Sequence, residues 1–132
     1  MNDDTWSDRI TSTVVGAIQA RRVELGLSFQ DLARLCTDYG YPTLRTTLAN
    51  LEHGRRKTIS LHEVFVIAKA LKVAPIDLMA PIGVEVEALP DEPFSGTEAR
   101  DWITGGSEAS SAYEAGVRAV MDCASHLIAR SG

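Results

Sequence analysis

Arg45, Thr46, Ala49 and Asn50 recur at a spacing that puts them on one side of a helix whose other side carries Leu44, Leu48 and Leu51, with Thr47 and His53 at the margins. An ordinary solvated helix face favours Glu, Lys and Gln, which are good helix formers, whereas Thr and Asn are poor ones. Another demand on these positions is the chemistry of base edges. Arg can bond guanine through two donors, Asn can bond adenine as donor and acceptor, and Thr or Ala methyls can touch thymine. Gly54-Arg55-Arg56-Lys57 follows at once, with three cations suited either to flanking phosphates or to a merely solvated loop.

Other reactive residues form no such constellation. His53, His62 and His126 stand at no metal-ligand spacing, and His62-Glu63 lacks a second histidine four residues on. Cys36 and Cys123 are far apart and form no Cys-x-x-Cys pair, so no disulfide framework or zinc ribbon is expected. Cys36 falls in an apolar stripe without an evident base and reads as a small core residue. Nucleophile-elbow, dinucleotide and phosphate-loop patterns are missing. The expectation is a protein that is not an enzyme and uses no cofactor and no metal.

The elements that must position the Arg45–Lys57 segment are helical. Trp6, Ile10, Val14, Ile18 and Leu25 predict a first helix from about Thr5 to Glu24, stopped by Gly26. Ser28 caps a second helix with Leu32, Ala33, Leu35 and Cys36 inside, ended by Gly40. Thr43 is the expected cap of a third, spanning about 44–53 and stopped by Gly54. Ser60-Leu61-His62-Glu63 reads as a capping box opening a fourth, with Leu61, Val64, Phe65, Ala68 and Leu71 on its buried side. Pro75 suits the first turn of a short fifth helix ending near Ala80. A short helix, a Gly-containing turn and a second short helix over Leu27–Lys57 match a helix-turn-helix.

Charge and composition divide the 132 residues unevenly. The whole carries 13 basic and 18 acidic groups, net -5, which argues against indiscriminate coating of nucleic acid. Residues 1–80 hold ten basic and nine acidic groups, residues 81–132 three and nine. Residues 41–60 alone are net +3, a local patch that a polyanion would feel within a Debye length of about 8–10 Å. Pro81, Gly83, Pro90, Pro93 and Gly96 break any helix, so domain boundaries are expected at 1–80, a linker or short strand at 81–96, and a helical extension at 97–132. No stretch reaches the roughly 18 apolar residues of a membrane span, and Asp3, Asp4 and Asp8 spoil a signal-peptide reading. A reducing, cytoplasmic location without membrane contact is expected.

Leu25-Gly26-Leu27-Ser28, Asp31-Leu32-Ala33, Leu48-Ala49-Asn50-Leu51-Glu52-His53-Gly54-Arg55-Arg56, Leu71-Lys72-Val73 and Asp77-Leu78 together resemble the lambda-repressor-like (Cro-type or XRE-type) helix-turn-helix regulators. The resemblance covers about residues 17–80. It implies an all-α, five-helix DNA-binding domain whose third helix lies in the major groove of double-stranded DNA, usually as a homodimer on two half-sites. It places base reading on Arg45, Thr46 and Asn50, with Ala49 beside them; contacts to the DNA backbone are expected from Gln30, Thr43, Thr47, Arg55, Arg56 and Lys57. It also implies a structural ion pair between Arg22 and Glu52. Two positions depart from the family pattern: Phe29 stands where a glutamine is usual, with Gln30 one residue later, and the turn before the third helix is about three residues longer.

Beyond the boundary, Val84-Glu85-Val86-Glu87-Ala88 alternates like a strand, which would lie on the helical domain or pair with a twofold mate. Thr97 can cap a turn holding Trp102 and ending at Gly105-Gly106. A long amphipathic helix is expected from Ser107, with Tyr113, Val117, Val120, Ala124 and Leu127 as a seam for a dimer, for a protein partner, or for the chain's own domain. The function expected is a sequence-specific transcriptional regulator, a repressor binding a palindromic operator. The alternatives are the antitoxin of a toxin–antitoxin pair and a protein-interaction module that kept the fold.

Overall fold

The computed structural model describes residues 4–106 and, in addition, Cys123. The expected seam of Tyr113, Val117, Val120, Ala124 and Leu127 lies outside the described residues. The described chain is mostly helical, with one small antiparallel sheet of two strands. It divides into two compact units, the first ending at Arg100 and the second beginning at Asp101.

In the first unit, α1 (Trp6–Glu24), α2 (Phe29–Asp38) and α4 (Leu61–Ala70) all open on a capping box, from Thr5, Ser28 and Ser60 respectively. Each hydroxyl accepts from the backbone N–H three residues on, and the carboxylate at that place accepts from the cap N–H. α3 (Arg45–Glu52) and α5 (Pro75–Met79) lack a side-chain cap, and Pro75 pre-sets the first turn of α5. Thr43, expected to cap α3, does not. The cap position is Leu44, while the Thr43 hydroxyl donates to the Tyr41 carbonyl (2.8 Å) and its N–H donates to Thr37 Oγ1 (3.1 Å). The extended turn therefore spends its hydroxyls on holding itself together.

α1 packs on α3 and α5, α2 on α3 and α4, and α4 on α5. Their shared core is Ile18, Leu32, Cys36, Leu48, Leu51, Ile67, Leu71 and Leu78, joined by smaller residues. Burial of this apolar area, at about 25 cal/mol per Å², is the main force holding α3 in place. Two expected core positions on α4 are corrected: Leu61 is 64% exposed and Phe65 52% exposed. Val64, Ala68 and Leu71 are buried as expected, and Ile67 completes the stripe in place of Leu61 and Phe65. Leu44 is likewise corrected, and lies outside.

The alternating segment forms β1 (Val86–Leu89), and its mate is neither a second copy nor missing. It pairs with β2 (Glu92–Phe94) of the same chain, with an irregularity between the Val86–Phe94 and Leu89–Glu92 pairs. Pro90 and Asp91, the latter at φ 61°, make the turn. β1 packs on α1, where the Trp6 indole N–H donates to the Glu87 carbonyl (2.7 Å) and Arg9 pairs with the Glu87 carboxylate (2.9 Å). Val86, Ala88, Ala80 and Ala99 form a second small core. α6 (Gly96–Ile103) starts one residue before Thr97, with the Ser95 hydroxyl accepting from Glu98 N–H. In the second unit, the Gly106 N–H donates to the Asp101 carbonyl.

Candidate nucleic-acid interface

α3 turns Leu48 and Leu51 into the core and leaves the opposite side outward: Arg45 and Thr46 are exposed, Thr47, Ala49 and Asn50 half-buried. Arg45, Thr43 and Leu44 line a groove of about 330 Å³ with Gln30, Arg34, Thr37 and Asp38 of α2. The structure thus brings Gln30, Thr43 and Arg45 together at one end of α3, and Asn50 with the basic loop at the other.

The second end is closed with care. Gly54 (φ 74°) lets the Arg55 N–H reach back to the Asn50 carbonyl (3.0 Å) and its own N–H reach Leu51 (3.4 Å), the closure that a left-handed residue after a helix permits. Arg22 of α1 donates through Nε and Nη2 to both oxygens of Glu52 (2.7 and 2.9 Å) and through Nη1 to the Leu27 carbonyl (2.8 Å). The Glu52 side chain is 3% exposed, so its charge is met inside the protein. Phe29 lies under that guanidinium, 4.3 Å from ring centroid to Cζ, and meets the His53 ring edge-on at 5.8 Å. Phe29 therefore buttresses the exit of α3, a role its apolar type alone does not announce.

Arg56 has a different partner from the one its sequence suggests. Both its Nη atoms donate to Glu63, a contact that ties the loop after α3 to the start of α4. Burial alone would raise the Glu63 carboxyl, yet Arg56 and the Ser60 hydroxyl and N–H outweigh it and hold it at about 2. Arg56, expected at a phosphate, is here paired with Glu63 and anchors the loop. Glu63 thus serves twice, as the capping-box carboxylate of α4 and as the partner of Arg56. Nearby, the His62 imidazole Nε2 lies 3.0 Å from both the Tyr41 and Ser60 hydroxyls. That contact fastens the turn before α3 to the start of α4.

The balance left after these pairings is positive. Among the described residues, Arg45, Arg55 and Lys57 make no ion pair; Glu52 and Glu63 are each held by an arginine, while Asp38, which lines the groove with Arg45, makes none. Cys36 beneath this surface is buried, and burial pushes its thiol up to about 11 despite a hydrogen bond with Thr43, so it stays a thiol. No group of three or more His, Cys, Asp or Glu among the described residues could hold a metal ion, and no described helix is long and apolar enough to cross a membrane. No family model, curated protein or solved structure matches the chain.

Proposed function

We propose that the chain is a sequence-specific DNA-binding transcriptional regulator of the lambda-repressor-like helix-turn-helix kind, acting as a homodimeric repressor on a palindromic operator. α3 enters the major groove, where Arg45, Thr46, Ala49 and Asn50 meet base edges. Gln30, Thr43, Thr47, Arg55 and Lys57 hold the sugar-phosphate backbone. The observation that carries this reading is the asymmetric pairing around α3. Glu52 and Glu63 are neutralised internally, and the unpaired Arg45, Arg55 and Lys57 outnumber the unpaired Asp38 of the groove, which leaves net positive charge for an external anion.

Selection from random duplexes tests it directly. An enriched palindrome is expected, with half-sites about 34–36 Å or a multiple apart. Return of no preferred sequence would favour instead a protein-interaction module on the same helices, and co-purification of a second small protein would favour an antitoxin. On the selected site, Arg45→Ala and Asn50→Ala each cost about 1–3 kcal/mol and relax preference at one base pair. Arg55→Ala and Lys57→Ala weaken all sequences alike and flatten the salt dependence by about one unit each.

A further inference from the structure

Leu44 continues the four-and-three spacing of Leu48 and Leu51, yet it is 69% exposed while each of those is 2% exposed. Its place at the head of α3 is one where Ser, Thr, Asp or Asn would satisfy a free backbone N–H; leucine satisfies none. The side chain lines the groove that also holds Gln30, Thr43 and Arg45, so it is an apolar surface set among hydrogen-bonding groups, next to an unpaired cation.

We propose that Leu44 is a specificity-determining residue that packs against the C5-methyl of a thymine in each half-site, an inference that rests on the DNA-reading role of α3. The occupant follows from chemistry. Of the groups that base pairs present in the major groove, the thymine methyl is the largest apolar one, the others being donors, acceptors and small C–H edges. Within the groove the free Arg45 is offset by Asp38, and Arg34 is paired with Asp31, but residues 41–60 as a whole are net +3, which suits a polyanionic duplex. A leucine at this place gains nothing from guanine, cytosine or adenine, whose polar edges it desolvates without bonding them. Preference for thymine therefore arises from attraction at one base pair and from a penalty against the other three.

The test is a cycle of protein and duplex changes on the full chain. In the selected duplex, each thymine is replaced singly by uracil, which removes the methyl and leaves the pairing intact. At one thymine per half-site, wild-type affinity is expected to fall about three- to fivefold, and the same replacement is expected to leave Leu44→Ala unchanged. Because the side chain is exposed, Leu44→Ala retains its thermal unfolding midpoint, which is measured alongside. An equal loss in wild type and Leu44→Ala, or no loss at any thymine, overturns the assignment of Leu44 while α3 still reads DNA. A shift of Leu44→Ala to a smaller species in sedimentation without DNA also overturns it, since Leu44 would then lie between two copies. Absence of any preferred duplex overturns the DNA-reading proposal, and this inference with it.

Discussion

At its C-terminal end α3 is closed by a left-handed glycine, an ion pair to α1, an aromatic ring from α2 and, through the next loop, a second ion pair to α4. At its N-terminal end it has an uncapped leucine in the open, preceded by a turn tied to α2 through Thr37 and to α4 through His62. The contrast separates two jobs along eight residues. Internal contacts fix where the helix points at one end, and at the other, side chains are left for something outside.

The largest effect is expected from breaking the anchored end. Arg22→Ala strands the Glu52 carboxylate at a 3% exposed site and should cost about 3–5 kcal/mol in urea unfolding. Replacing both partners, Arg22→Met with Glu52→Leu, should return most of that stability, because no buried charge is then left alone. Acid comes next. The folded Glu63 carboxyl lies near 2, below its ordinary 4.5, so its contribution is complete above about pH 4.5 and is lost as pH falls toward 2. The stability gap between wild type and Glu63→Gln should therefore be widest at neutral pH and narrow across that interval. Gly54→Ala strains a φ of 74° and should cost about 1–2 kcal/mol by the same measurement. Smallest, and opposite in sign, Leu44→Ser supplies the missing cap and should stabilise by about 0.5–1 kcal/mol while weakening binding to the selected duplex.

Much of the helical framework was legible because its signals are local. Thr5, Ser28 and Ser60 sit three residues before a carboxylate, and Gly26, Gly40 and Gly54 follow the last apolar residue. What could not be read depends on neighbours distant in sequence. Leu44 keeps the period of a buried face, but periodicity cannot tell where the facing helix ends, and the core stops at Leu48. The apolar residues of α4 form a band wider than one buried face, from Leu61 and Phe65 through Val64, Ala68 and Leu71 to Ile67, and only packing against α2 and α5 decides which edge is covered. β2 is three residues with Pro93 inside, too short and too poor in strand formers to announce itself. In the interface, the outward face of α3 followed from helical spacing alone. The pairing of Arg56 with Glu63, and the service of Phe29 beneath Arg22, required the tertiary contacts.

The two thiols give the molecule an internal clock. Cys123 is open to a maleimide or disulfide reagent, whereas Cys36 sits at 0% exposure among the helices that carry α3. Labelling followed by mass spectrometry should thus show one prompt addition and one delayed. The delay counts how often those helices part, and comparing it with and without duplex would report how firmly a bound ligand holds them shut.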